Sequence, residues 1–468
     1  MKQLTNADYR QIILRRDPRY DGRLYFGVTT TRIYCRPVCP ARPKPENIIL
    51  FKSTSEAEKS GYRPCLRCRP DLAPGNKYIN PGKNIVGRGL SLMEESGPLD
   101  QNVESIAETL GISTRHLRRV FKEQLGASPV EIIQTRKLHQ AKQLLLETQE
   151  PVTKIAYGAG FNSIRRFNES FKAAFRRTPS EVRKGKRCKK HNNDGFTLTL
   201  MVRKPYDYSS VLAFLKRHAA RGIEKINGNV YERYVPGKNT YATINITINT
   251  KKDALLVSLK GFRLDQISSI LVRIKRLFDT DHNPAHLPAT SAAKQSGVRV
   301  PGSYDPFETA VSIILSQLIS IQQATKKLGV LIEGYGTPIN DHGLYAFPSP
   351  ERLMAAEIEK TGITRSKADA IRTLAGMIHN QEFTFSYSSD LPETRKQLLA
   401  IRGIGPWTTE MIMMRCFGDA DAFPENDLII QRALEQNLVD EDLWKTNRSY
   451  MTHYIWNKFA QTLSKQKK

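Results

Sequence analysis

The chain has 468 residues, with 72 Lys and Arg against 46 Asp and Glu, a formal charge of +26. One hydrophobic core stops growing at roughly 250–300 residues, so two to four domains are expected, and the positive excess makes nucleic acid the leading partner through release of counterions from phosphates. No apolar run has the length a bilayer requires, no secretory or lipidation signal is read, and the six cysteines do not form a secreted disulfide pattern, which leaves no membrane role and a reducing, cytoplasmic setting as the expectation.

Residues 1–80 are rich in Pro, Arg and Cys, with strand-like runs at Leu24–Thr29 and Asn47–Phe51. Cys35-Arg-Pro-Val-Cys39 and Cys65-Leu-Arg-Cys68 have the spacing of a tetrathiolate zinc site, in which soft thiolates surround a tetrahedral cation. Large apolar residues are few in this segment, so a metal would serve as its staple. Arg32, Arg36, Arg42, Arg63, Arg67 and Arg69 crowd the same stretch, and an anionic centre in a basic setting facing DNA is expected. Two readings of the thiolates stand side by side: zinc that only holds the fold, and zinc that keeps one ligand deprotonated as a nucleophile.

After a Pro/Gly linker (Pro74-Gly75, Pro81-Gly82), residues 84–186 read as helices that carry one pattern twice. Val103–Phe121 gives an apolar-faced helix, a turn at Gly111, and a helix capped by Ser113 and bearing Arg115, Arg118 and Arg119. Val152–Phe161 followed by Ser163–Lys172 repeats it, with Arg165 and Arg166 on the second helix. Short helix, glycine turn and basic helix outline a helix-turn-helix. One copy alone would equally suit a plain helical hairpin; two copies favour a pair of DNA readers.

The basic stretch Lys184–Gly195 reads as a solvated linker. Residues 196–283 show strand alternation at Tyr241–Ile248 and Ala254–Leu259, and residues 284–468 read as mainly helical. Within the latter, Leu398–Thr409 is helix, glycine hairpin, helix, and Gly403 and Gly405 would let backbone amides approach a phosphate. Asp427 follows at an expected helix start, where an N-cap is the simple alternative to a catalytic carboxylate. The fold class expected is multidomain, mainly α with α+β parts.

Two resemblances sharpen these readings. Arg15–Gly22, Thr29–Arg42 and Gly61–Asp71 resemble the amino-terminal domain of the Ada family of adaptive-response regulators, and the paired helices resemble the AraC/XylS DNA-binding domain that follows it there. The resemblance implies a small zinc α/β domain in which Cys35 takes a methyl group from a DNA methylphosphotriester. Cys39, Cys65 and Cys68 would complete the Zn2+ site, and Thr31, Arg42 and Arg67 would touch phosphates. It implies next an all-α double helix-turn-helix domain that activates transcription with RNA polymerase as partner. From Lys204 onward, Lys204–Tyr208, Asp305–Glu308, Ile314–Ser320, Phe347–Pro350, Arg448–Tyr450 and the hairpin with Asp427 resemble the AlkA family of helix-hairpin-helix DNA glycosylases. That implies an α+β N-terminal subdomain, a helical helix-hairpin-helix body and hydrolytic excision of alkylated bases such as 3-methyladenine. Asp427 would be the catalytic carboxylate, Leu318 the wedge, and Phe214, Gln317, Trp407 and Trp456 the base pocket.

Two departures are visible: Glu425-Asn426 precede Asp427 where paired acids are usual, and Met411 stands where AlkA has an aromatic. The Pro-Cys-His-Arg site of an O6-methylguanine transferase does not occur, and neither Cys188 nor Cys416 has the His neighbour it supplies. A monomer acting on double-stranded DNA is expected. The rival reading is a transcription regulator with purely structural zinc and an inactive glycosylase fold. The repair reading requires the Cys35 sulfur to be reachable and the Asp427 carboxylate to face a cleft; without these the chain would be a passive binder of DNA.

Overall fold

The computed structural model describes residues 6–74, 85–97, 102–184, 195–237, 241–284, 287, 296–339, 343–436 and 446–466. Of the expected linkers, Gly75, Pro81 and Gly82 of the first and residues 185–194 of the second, with Cys188, lie outside the described residues, whereas Pro74, Lys184 and Gly195 are described. No helix among the described residues is long and apolar enough to cross a membrane.

The first segment is a four-stranded sheet in the order β3-β1-β2-β4, built from β1 (Tyr25–Val28), β2 (Ile33–Cys35), β3 (Ile48–Phe51) and β4 (Arg63–Pro64), with helices α1 (Asn6–Leu14) and α2 (Thr54–Lys59) against it. Because side chains alternate along a strand, Tyr25, Tyr34 and Phe51 face α2, whereas Phe26 and Cys35 face Ile13 of α1. The core on each face is small, as the sequence suggested.

Among the described residues seven helices follow: α3 (Ile85–Glu95), α4 (Val103–Thr109), α5 (Thr114–Leu125), α6 (Pro129–Glu147), α7 (Val152–Gly158), α8 (Ile164–Phe175) and α9 (Pro179–Lys184). Ser113, Ser128 and Ser163 cap α5, α6 and α8 by accepting backbone N–H bonds, and Gly126 ends α5 in the left-handed region at φ 72. Helix α6 joins the two readers. Phe121 is buried under the first, and Phe167 and Phe171 under the second.

The α+β part is an antiparallel sheet in the order β5-β9-β8-β7-β6, from β5 (Phe196–Met201), β6 (Glu224–Asn227), β7 (Val230–Pro236), β8 (Tyr241–Asn249) and β9 (Ala254–Lys260), with α10 (Tyr208–His218) and α11 (Ile267–Leu277). Its inner residues, Ile244, Ile246, Val257 and Leu259 among them, share one core with Leu138, Phe167, Phe171 and Phe175 of the second reader. The sequence boundary near 185–195 therefore separates segments of chain, not separate cores. The remaining body comprises α12 (Pro306–Leu315), α13 (Ile321–Tyr335), α14 (Pro350–Met354), α15 (Arg365–His379), α16 (Leu391–Ala400), α17 (Pro406–Cys416), α18 (Leu428–Glu435) and α19 (Arg448–Gln466), with a small β10–β11 pair (Thr337–Pro338, Tyr345–Ala346).

Buried polar groups fasten the parts together. Glu147 of α6 accepts from Arg69 at 3.1 Å and from the Thr199 amide of β5 at 3.1 Å. Asp71 is paired with Lys142 at 2.6 Å and with Arg69 at 3.1 Å; against burial, which would raise it, these cations hold its carboxyl well below the usual range. Tyr34 donates to Glu58 at 2.9 Å, and Glu58 meets His139 of α6 at 2.7 Å. Glu95 of α3 accepts from Arg276, Ser386 and the Tyr387 amide at 2.9, 2.6 and 2.8 Å.

Candidate functional site

The sequence-predicted thiolates converge. Cys35 ends β2, and Cys39 closes a turn onto the Arg36 carbonyl at 3.0 Å. Cys65 follows β4 with its amide on the Tyr34 carbonyl at 3.0 Å, and Cys68 ends the turn that the Arg69 amide closes on the Cys65 carbonyl at 3.1 Å. The four sulfurs lie within 4.8 Å of one another. Hydrogen bonding inside the cluster drives Cys35 and Cys68 far up and Cys65 far down, and brings Cys39 to about 7. Four sulfurs this close cannot all ionise unaided, and a soft divalent cation is the species that lets them do so. The Arg36 amide adds an N–H bond to Cys68 Sγ at 3.5 Å.

Two expectations about this centre need correction. Cys35 is only 2 % exposed, beneath Ile13 and Phe26, while Cys65 and Cys68 are the half-buried members of the set. The arginines also divide. Thr31, Arg42 and Arg67 are exposed, as are Arg15 and Arg32, but Arg36 is buried in a two-pronged pair with Asp21, and Arg69 is spent on Asp71 and Glu147. Burying an arginine beside a carboxylate removes it from the field a phosphate would feel.

Arg115, Arg118 and Arg119 on α5, and Arg165 and Arg166 on α8, all point to solvent. Arg118–Glu104 (3.9 Å), Arg119–Glu123 (3.1 Å) and Arg165–Glu169 (3.0 Å) are exposed pairs. Such pairs are worth about 1 kcal/mol or less, so these side chains remain available to phosphates.

Asp427 caps α18. Its Oδ1 accepts from the Ile429 and Ile430 amides at 3.0 and 3.3 Å and from Trp456 Nε1 at 3.0 Å, and its Oδ2 accepts from Trp407 Nε1 at 3.2 Å. The N-cap and functional readings are therefore one geometry: two amides anchor the carboxylate at a positive helix end, and two indoles aim it. Asp427, Trp407 and Trp456 are half-buried; of the three, Trp407 lines a cleft, together with Phe423, Glu425, Arg448 and Asn426, the residue before Asp427.

Leu318 is fully exposed and left-handed at φ 57. That conformation costs a leucine about 1–2 kcal/mol, and leaving the side chain in water forgoes its burial as well. Gly403 needs its glycine, at φ 93 and with Ser366 O 3.0 Å from any added Cβ, whereas Gly405 has open space before it at the start of α17.

The other pocket residues are placed differently from expectation. Phe214 is 5 % exposed, stacks on His218 at 4.2 Å and meets His453 at 5.1 Å, and His453 meets Trp456 at 5.0 Å, so Phe214 lies beneath the aromatic wall. Gln317 donates through Nε2 to Gly403 O at 2.9 Å and Thr408 Oγ1 at 2.8 Å, which ties it to the hairpin. Met411 is buried in the core. Cys416 is sealed, and burial pushes its thiol up to about 12, so it offers no second thiolate.

Sequence reasoning missed His218, His453 and Arg415 beneath the indoles. Burial first, then the Arg415 guanidinium, pushes both histidines down to about 3. His453 stands three residues before Trp456 on α19, a spacing that puts both on one helix face and could have flagged it.

Comparison with known proteins resolves what these sites belong to. Residues 8–71 match the metal binding domain of Ada, 106–185 a helix-turn-helix domain and 197–305 the AlkA N-terminal domain. A Mycobacterium tuberculosis protein named probable bifunctional transcriptional activator/DNA repair enzyme AlkA is 30% identical over 471 residues, covering 95% of this chain and 94% of its own. The chain belongs to the bifunctional transcriptional activator/DNA repair enzyme family.

Other relatives divide along the same seams. Escherichia coli DNA-3-methyladenine glycosylase 2 is 27% identical over 55% of this chain and 96% of its own length. The Bacillus subtilis bifunctional transcriptional activator/DNA repair enzyme AdaA is 30% identical over 37% of this chain and 80% of its own. As a member of the bifunctional family, the chain joins an Ada-type methyl-acceptor domain and a helix-turn-helix domain to a glycosylase domain. Zinc is the metal of its four-cysteine cluster, and DNA is its partner.

Proposed function

We propose that the two anionic centres repair two kinds of alkylation damage, with residues 1–80 as methyl acceptor, 84–186 as promoter reader, and 196–283 with 284–468 as glycosylase. In the first, Cys35 Sγ attacks the methyl carbon of a DNA methylphosphotriester. The S–C bond forms as the O–C bond breaks, and its electron pair leaves on the phosphate oxygen as an ordinary diester anion. Zinc, when bound, keeps the four sulfurs deprotonated and the cluster at a net charge of 2−. Methylation of Cys35 removes one of those charges, so repulsion from the DNA backbone falls and the domain binds more tightly; at a few ångströms one charge is worth about 1–4 kcal/mol. Cys39, Cys65 and Cys68 hold the metal, and Thr31, Arg42 and Arg67 are the phosphate contacts. Arg115, Arg118, Arg119, Arg165 and Arg166 then bring the readers onto promoter DNA for RNA polymerase, and the protein acts as a cytoplasmic monomer.

In the second, Leu318 fills the stack as a damaged nucleotide swings out, with Gly403 and Gly405 presenting amides to the phosphate. Trp407 and Trp456 receive the base. A methylated purine is cationic and departs with little acid help, and an indole face favours it by about 0.5–2 kcal/mol. Asp427 stabilises the oxocarbenium-like sugar and orients water. The observation that carries this reading is the Asp427 carboxylate, held by two indole N–H groups, one of them from Trp407 in the wall of a cleft. Its test is release of 3-methyladenine from alkylated DNA: Asp427→Asn should bind DNA and release almost nothing, and retained turnover would misplace the carboxylate.

Burial of Cys35 makes the acceptor assignment separately testable. Transfer requires the edge formed by Ile13 to give way, and peptide mass spectrometry after exposure to methylphosphotriester DNA should place the methyl on Cys35. A methyl on Cys65 or Cys68, the better exposed sulfurs, would overturn it.

A further inference from the structure

The loop that carries Leu318 is held from two sides. Lys367, in the first turn of α15, donates through Nζ to Leu315 O at 2.9 Å and Gln317 O at 2.7 Å. These carbonyls lie at the C-terminal end of α12, where intrahelical donors run out and a cation is favoured. The Gln317 carboxamide reaches the opposite way, to Gly403 O and Thr408 Oγ1 of the hairpin. A third contact closes the triangle, because an added Cβ on Gly403 would meet Ser366 O at 3.0 Å and Ala370 Cβ at 3.2 Å, both on α15. The first turn of α15 thus touches both the loop of Leu318 and the glycine hairpin, and Gln317 ties the two to each other.

We propose that Lys367 and Gln317 are positioning residues that lock the exposed wedge Leu318 in fixed register with the phosphate-holding hairpin Gly403–Gly405. The inference rests on the glycosylase reading above. Prying a base from the stack loads the wedge, and a loop free to swing would yield under that load. Fixing it against the element that grips the backbone lets the two act as one lever, with the geometry settled before DNA arrives.

The test uses full-length protein and Lys367→Met, Lys367→Arg, Gln317→Leu and Leu318→Ala, each first shown to melt cooperatively. Two substrates separate the roles: a duplex with 2-aminopurine beside the lesion, which reports unstacking, and the same lesion opposite an abasic residue, where little stacking must be broken. Lys367→Met and Gln317→Leu should lose unstacking signal and single-turnover excision on the paired duplex by about 10- to 100-fold, as misplacement near 1 Å does. Most of that loss should disappear opposite the abasic residue, and Lys367→Arg should restore part of the signal. If Leu318→Ala loses the signal while Lys367→Met and Gln317→Leu keep it, the positioning claim is wrong and the wedge stands. Equal losses on both substrates would make Lys367 merely structural and also overturn it. If Leu318→Ala keeps the signal, the wedge reading itself fails.

Discussion

The sulfur cluster and the Asp427 site hold negative charge by opposite means. Four sulfurs are gathered by short turns on a small sheet, and their joint ionisation depends on a cation between them. Asp427 is a carboxylate held by four N–H donors that belong to the fold, on a body with an extensive apolar core. A charge held by sulfur and metal can be changed once by covalent chemistry and remain changed, which suits a signal. A charge held by fixed dipoles is the same after every turnover, which suits a catalyst.

Stripping the metal should break the comparison most sharply. Structural zinc contributes on the order of 10 kcal/mol to small domains. Chelation with thiol modification should therefore melt the sheet of residues 25–64, seen by hydrogen exchange, while excision by the Asp427 site continues; a parallel loss of excision would mean that the two centres are not independent. Next in size, Asp427→Asn should lower single-turnover excision by about 10³-fold, the scale for removing preorganised charge stabilisation, with methyl acceptance unchanged. Trp407→Phe and Trp456→Phe each delete one N–H to the carboxylate while keeping an aromatic ring. A hydrogen bond to a charged group is worth about 1.5–3 kcal/mol, so each should cost about tenfold or more in kcat, with a smaller change in KM. The mildest effect is on acid stability. His453 and His218 are neutral when folded and gain protons more readily when unfolded. Folding stability is therefore full at neutral pH and falls as pH drops below about 6.5, by about 1 kcal/mol per histidine from pH 7 to 5.5. Thermal melts of His453→Gln should show a weaker acid dependence than those of the parent.

Much of this was legible because the signals were local. Cys-x3-Cys with Cys-x2-Cys, serine caps before basic helices, and alternating Ile in β8 each state their structure within a few residues. The hairpin and the Asp427 cap were readable for the same reason. What escaped is non-local. The exposure of Cys35 depends on Ile13 of α1 packing across it, and Gln317 finds its partners beyond residue 400. Phe214 has an apolar helical setting whether it lines a pocket or lies under one; only His453, more than two hundred residues later, decides between them. Arg36 and Arg69 look like their exposed neighbours in sequence, and only the fold brings Asp21 and Glu147 to them.

The core shared between the second reader and the five-stranded sheet constrains how such a chain can be cut. Gly158 lies so close to Leu264 that an added Cβ would sit 2.6 Å from the leucine's own, and Gln143 donates to the Thr199 carbonyl at 3.0 Å. A gene split between residues 184 and 195 would leave each fragment with a raw hydrophobic face, Phe171 on one side and Leu198 on the other. Such halves should aggregate or find each other again, so swapping in a foreign glycosylase demands that its edge strand be recut to fit α6.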